Sequence, residues 1–285
     1  MKWHERESNS TKPNPNSGNF VAKNPVIYTK ESLIEKLKEI VAMKWIRNAR
    51  KGNHGGIGNT LEDLLHIKEN NLPIPNAAEW ELKAQRIFSG SLTTLFHIEP
   101  SPRAMRFVPQ ILLSKYGWAH KEADKKYSKH EMSFRQTIHG RSRSDRGFMV
   151  KIDRAEKKVL ISFDAGEVDP RHKVWLESVE SRVGIGELNP QPYWGFDDLE
   201  HKAGTKLLNC FYVQAEVKTE RKIEYYKYVK IMMLQKFKFE GFLRELEKGN
   251  ILVDFDARTG HNHGTKFRMR QDCLPFLYEK ERVIV

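Results

Sequence analysis

A chain of 285 residues with 49 lysines and arginines against 37 acidic residues carries a formal net charge of +12 and a pI near 9.5. Its 39% hydrophobic content, with fifteen Phe, nine Tyr and six Trp, excludes a wholly disordered chain. A mean hydropathy of -0.64, without an uncharged apolar run near twenty residues, excludes a membrane-spanning helix.

Residues 1–25 are rich in Ser, Asn, Pro and Lys and read as a disordered leader, with no secretory signal expected. Leu33, Ile34, Leu37, Ile40, Val41 and Trp45 fall at helical spacing and predict a helix over about 30–47, with Thr29 as N-cap. A glycine cluster follows (Gly52, Gly55, Gly56, Gly58), in which the absence of a Gly-Lys-Ser/Thr ending argues against a nucleoside-triphosphate loop. Thr60 with Asp63 predicts a capped short helix over Leu61–His66. A Pro-x-Pro-Asn turn ending at Asn76 leads into a strand, Glu79 to Lys83, with Thr93 to Ile98 expected as its partner.

Further along, Ile111–Tyr116 reads as helical, Phe148–Ile152 and Val159–Phe163 as a hairpin, and Val174–Val179 as a helix. Two long strands are expected at Leu207–Lys218 and Lys222–Met232. A helix over Phe239–Lys248 should stop at Gly249, and the last strands fall at Ile251–Phe255 and Thr265–Met269. Helices and strands without strict alternation argue for an α/β chain of the mixed α+β kind. Two cysteines, Cys210 and Cys273, are too few for a disulfide framework or a zinc ribbon, so a reducing cytoplasmic setting is expected.

The charge is unevenly placed, at +9 over residues 101–160 and -3 over 61–100. Basic stretches with interleaved aromatics suit a phosphate backbone, and the acidic island suits a divalent metal. Within that island, strand alternation puts Glu79, Glu81 and Lys83 on one face while Trp80 and Leu82 face the core. Two carboxylates and an ammonium side by side can hold a hard cation and a water. The acid-x-Lys pattern alone is weak, since it recurs at Asp124/Lys126, Glu156/Lys158, Glu200/Lys202, Glu216/Lys218 and Glu220/Lys222, where surface ion pairs account for it.

The order of blocks is more specific than any one of them. Gly58–Leu65, then Pro75-Asn76-Ala77-Ala78-Glu79-Trp80-Glu81-Leu82-Lys83, then Thr94-Leu95-Phe96 resembles the MvaI/BcnI family of Type II restriction endonucleases. That family is related to the mismatch-repair nuclease MutH within the PD-(D/E)xK superfamily. The stretch His263-Gly264-Thr265-Lys266-Phe267-Arg268 is similar to a C-terminal motif of the same family. The resemblance implies a restriction-endonuclease-like core, a mixed sheet flanked by helices, with an added DNA-recognition lobe. On this reading, residues 26–285 form one nuclease unit, catalytic over about 26–120 and recognising DNA over about 121–285.

The resemblance further implies Mg²⁺ as cofactor, with Glu81 and Glu62 as metal ligands and Lys83 orienting the attacking water. The family's main metal-bridging Asp falls at position 76, where this chain has Asn76. An amide oxygen can ligate Mg²⁺ but brings no charge. Glu79 taking over the ligand role, an inactivated site, or a branch that works with Asn all remain open at this point.

Arg258, His261, His263, Lys266 and Arg268, with Arg141 and Arg143, are donors that can reach base edges or phosphates and are the expected DNA contacts. Asp254, Asp256, His261 and His263 could alternatively gather a metal, but DNA contact fits their loop better. Tyr225, Tyr226 and Tyr228 read as packing residues, and His97 and His139 as structural histidines. The implied partners are double-stranded DNA and, functionally, a cognate methyltransferase, with the enzyme a monomer and no membrane involved. A non-catalytic DNA-binding protein and a MutH-like nicking enzyme are the alternatives, Asn76 being the reason for the first.

Overall fold

The computed structural model describes residues 28–48, 56–67 and 80–285. The leader, Gly52 and Gly55, Asn76 and Glu79 lie outside the described residues.

Helix α1 (Lys30–Ala42) is opened by Thr29 as expected: its side chain accepts from Ser32 N at 3.2 Å while Ser32 Oγ accepts from Thr29 N at 2.9 Å. The helix buries Leu33, Leu37 and Ile40, and ends before Trp45. Lys44 turns to φ 59° so that the next residues can form β1 (Ile46–Arg47). Sheet pairing of Ile46 with Tyr226 thus overrides the helical periodicity that ran on to 47.

Helix α2 (Gly56–Leu64) starts four residues ahead of Thr60, which is buried inside it. The cap expected at Thr60 is therefore corrected. Gly56 is required there, because a Cβ would run into the Tyr226 hydroxyl.

Strands β2 (Glu81–Arg86) and β3 (Thr93–His97) come next. A single turn of 3₁₀ helix, Arg103–Met105, precedes the wide π-helical turns Val108–Leu113, which run into α3 (Ser114–Tyr116). Then follow β4 (Trp118–Ala119), β5 (Met132–His139), and the hairpin β6 (Arg146–Asp153) and β7 (Lys158–Val168). Next are α4 (Lys173–Val183), β8 (Tyr193–Gly195) and α5 (Phe196–Leu207). The long hairpin β9 (Asn209–Glu220) and β10 (Ile223–Phe237) leads to α6 (Phe239–Glu247). The chain closes with β11 (Ile251–Arg258), β12 (His261–Asn262), β13 (Lys266–Met269) and β14 (Tyr278–Val283). Gly249, at φ 74°, follows α6 as expected.

Three sheets form among the described residues. A five-stranded sheet runs β1-β10-β9-β2, with β14 also on β10; only its β2–β9 pairing is parallel. A six-stranded sheet runs β3-β13-β11-β5-β4 with β12 beside β11, and β6-β7-β8 form a third. The expectation that Thr93–Ile98 partners the acid-x-Lys strand is corrected. β2 takes β9 as its hydrogen-bonded neighbour, and β3 crosses to the six-stranded sheet, where Phe96 pairs with Phe267. Both sheets draw strands from the first and second halves of the chain.

The five-stranded sheet is covered on both faces. Phe211, Val213 and Ala215 of β9 pack with Trp80, Leu82, Tyr226 and Tyr228 against α1 and α2. Cys210 and Tyr212, of opposite parity, join the main core with Phe96, Phe242, Phe267 and Trp194. Tyr226 and Tyr228 are packing residues as read, with Tyr228 Oη donating to the Ile57 carbonyl at 2.7 Å, while Tyr225 is half-buried beneath the Lys218 ammonium. The helix expected over Val174–Val179 forms as α4, which buries Trp175 and Val179.

Phe267 lies 5.1–5.7 Å from the rings of Trp194, Phe96 and Phe242, and so ties β13, β3 and α6 into one unit. Phe267→Ala is expected to lower unfolding free energy by about 3–5 kcal/mol in urea denaturation, the range for truncating a buried aromatic. A loss under about 1 kcal/mol would contradict this packing.

Candidate active site

Parity on β2 builds the site. Trp80 and Leu82 turn toward α1 and α2, Trp80 lying 4.6 Å from the Phe211 ring. Glu81, Lys83 and Gln85 take the other face. Glu81 is only 2% exposed. Its Oε1 accepts from Lys83 Nζ at 2.7 Å, and its Oε2 lies 3.1 Å from Lys206 Nζ, an ion contact outside hydrogen-bond alignment. The two ammonium side chains are themselves 12% and 15% exposed. Lys83 also donates to the Leu95 carbonyl of β3 at 3.4 Å, so it spans the gap between the two large sheets.

Sequence reasoning missed Lys206 and reduced Lys202 to a surface pair with Glu200. The two lysines are four residues apart on α5 and so share a helix face. Burial, then the charges of Lys206 and Arg103, hold the Lys202 ammonium below the usual lysine range. At the end of β3, His97 is lowered by loss of hydration and by Lys266, Lys83 and Lys202. The Glu81 carboxylate thus has an ammonium on either side, and the same positive surroundings favour the neutral form of His97. His139, in contrast, is structural as read, accepting from the backbone N–H of Arg141 at 3.2 Å.

Behind the site, Cys210 pairs in register with Glu81, and burial pushes its thiol up to about 12, which leaves it inert as a nucleophile. Gln85 accepts from the Tyr212 hydroxyl, which accepts from the Gln214 amide, and that amide also donates to Asp272. Polar satisfaction of this chain keeps β2 and β9 in register at the site.

The site opens into a cleft of about 1450 Å³. Its walls carry Arg47, Lys83, Arg86, Arg221, Lys222, Lys266 and Arg268 against one carboxylate, Glu224. Arg86 forms a two-pronged pair with that carboxylate at 2.9 Å. A concave surface this rich in cations concentrates a polyanion along its length.

The expected DNA contacts separate in space. Lys266 and Arg268 line the cleft, with Arg268 also paired to Asp254 at 3.2 Å. His261 and His263 sit on an exposed loop with rings 4.2 Å apart. That loop is anchored from below by Glu99, which accepts from the Thr265 amide at 2.9 Å and its hydroxyl at 3.1 Å. Arg258 pairs with Glu131 at 2.9 Å and lies over the Tyr127 ring. Arg141 is exposed. Arg143 turns inward, donating to the Gly147 carbonyl at 2.8 Å and to Ser162 Oγ at 3.3 Å, and so braces the turn before β6. Arg270 falls beyond β13 rather than on its face, and donates to the Gly249 carbonyl.

Glu62 is half-buried on α2, the helix that packs against β2. Among the described residues, no three His, Cys, Asp or Glu side chains gather as a metal site, including the cluster at 254–263. Glu81 does fit a hard divalent ion, since its buried Oε2 has no hydrogen-bond donor. Asn76 and Glu79, which would complete the set, lie outside the described residues.

A mixed α+β fold, with an acid-x-Lys strand beside a parallel neighbour, defines a nuclease fold of the PD-(D/E)xK type. The MvaI/BcnI restriction endonuclease family model matches residues 34–278, and the chain belongs to that family. It is similar to the solved complex of restriction endonuclease MvaI with its cognate DNA substrate, with a TM-score of 0.70 and 27% identity over 89% of this chain and 97% of that one. Against MvaI in the absence of DNA the TM-score is 0.50 and the identity 26%, covering 89% and 96%. No curated protein matches the chain.

Proposed function

We propose that this chain is a Mg²⁺-dependent, site-specific endonuclease for double-stranded DNA, acting as a cytoplasmic monomer beside a methyltransferase that protects the host's own sites. The observation that carries the reading is the Glu81 carboxylate, buried between Lys83 and Lys206, with Lys83 also on the wall of a cleft that carries seven cations among the described residues. Family membership and the likeness to a DNA-bound relative support it.

Glu81 would hold the cation, together with Asn76, Glu62 and Glu79. When bound, the cation supplies Lewis-acid charge at the phosphoryl oxygens. Lys83, fixed by Glu81 and the Leu95 carbonyl, donates a hydrogen bond to the attacking water and sets its approach to phosphorus. The water oxygen bonds to phosphorus and gives up a proton to solvent as the bond from phosphorus to O3′ breaks, and O3′ takes up a proton from solvent, leaving a 3′-hydroxyl and a 5′-phosphate. Lys83, on the cleft wall, also offsets the negative charge that builds on the phosphorane, while Lys206 balances the Glu81 carboxylate.

Supercoiled plasmid incubated with Mg²⁺ tests the proposal, with linear product as the expected result. Open circles that persist would mean a nicking enzyme. Retained binding without any product would mean a DNA-binding protein, the reading that Asn76 favours.

A further inference from the structure

The tip of the β9–β10 hairpin is built against its own backbone preference. Glu220 pairs with Ile223, so Arg221 and Lys222 are the two central residues of a two-residue turn. Both have positive φ, 50° and 66°. Turns of this kind strongly favour Asn-Gly, and each L-residue with a Cβ costs about 1–2 kcal/mol in the left-handed region. The sequence instead places two long cations there, and strain of that kind collects where the side chains have work to do.

The tip is also held firmly. Beyond the Arg86–Ala215 pairing, β2 no longer supports β9. Arg86 then grips Glu224 from one side, β1 pairs Arg47 with Tyr225 on the other, and Lys218 lies 4.7 Å over the Trp45 ring. Arg221 and Lys222 are exposed, line the cleft, and have no ion-pair partner among the described residues. Lys266 and Arg268 stand on the same cleft from the other sheet.

We infer that Arg221 and Lys222 form a rigid two-cation clamp that grips the phosphate backbone of duplex DNA across the cleft from β13. The inference rests on the DNA-cleaving reading above and adds to it the positioning element that holds the duplex over Glu81 and Lys83. Phosphate contact is favoured because a short, tight tip carrying two adjacent cations matches a charged backbone better than a set of base edges.

The test is duplex binding by the full chain as a function of salt, comparing the parent with R221N/K222G and with R221K/K222R. Asn-Gly relieves the turn while removing both charges, so the folded state should be kept, with an unfolding midpoint equal to or above the parent's. Loss of two phosphate contacts lowers the slope of log Kobs against log salt by about 2, by the same amount on any duplex sequence. The charge-retaining variant should keep the parent's slope. An unchanged slope in R221N/K222G, with the parent still binding, overturns the clamp and leaves the nuclease reading intact. Loss confined to one DNA sequence means base readout and also overturns it. A parent that binds no duplex overturns the underlying reading, and the clamp with it.

Discussion

Lys83→Ala is expected to slow strand cleavage by about 10²–10³-fold, the scale of removing one preorganised donor from a reacting centre. Duplex binding should stay within a few-fold of the parent, since the cleft retains its other cations. The fold should tolerate the change as well, because Lys206 still neutralises Glu81 at 3.1 Å. Glu81→Gln should behave differently. It leaves two nearly buried ammonium groups without their carboxylate, a loss that typically costs about 3–5 kcal/mol. Cleavage and urea stability measured side by side therefore separate the two roles: a Lys83→Ala enzyme that cuts at the parent's rate would remove Lys83 from the chemistry.

Asn76→Asp should act in the opposite direction, raising Mg²⁺-dependent cleavage by about 10²-fold, a scale set by gaining one charged group at a reacting phosphate. The family expectation places the main metal-bridging carboxylate at this position, and an amide there brings an oxygen without charge. Single-turnover rates across a Mg²⁺ titration check it: the variant should reach half-maximal rate at lower Mg²⁺ as well as cutting faster. No gain in either quantity would mean that the site is not switched off at Asn76, and Glu79→Gln would then show whether its neighbour carries the charge instead.

How much of this could be read beforehand varies by element. Helix α1 announced itself through Thr29 and the spacing of Leu33, Leu37 and Ile40, all local signals. Gly249 marked the end of α6 for an equally local reason, a residue at positive φ. Strand β5 and helix α5 were not called. β5 intersperses Arg135, Gln136 and Thr137 among its apolar residues, and only its pairing with β11 shows which side is buried. α5 did carry a usable signal, Leu199, Ala203 and Leu207 at intervals of four, all buried.

The candidate site divides in the same way. The strand bearing Glu81 and Lys83 was legible because a period of two needs no tertiary information. Lys206 was not, since it lies 125 positions beyond Glu81 and comes to it only through the parallel pairing of β2 with β9. Arg143 looked like a DNA contact on charge alone, and the structure turns it to Gly147 and Ser162. Glu220/Lys222 looked like a surface ion pair, whereas Glu220 is taken by Lys218 at 2.8 Å and Lys222 faces the cleft.

By itself, then, the sequence pointed to a polyanionic partner through its charge, to the family through ordered blocks around Glu81, and to a shared strand face for Glu81 and Lys83 through alternation. These are properties of composition and of neighbours along the chain. Only the tertiary structure decided which cations surround the buried carboxylate, which line the cleft and which brace the fold. Those assignments depend on contacts made across the folded chain, from the Arg143–Ser162 brace to the Glu81–Lys206 and Arg86–Glu224 pairs more than a hundred positions apart, which local periodicity does not encode.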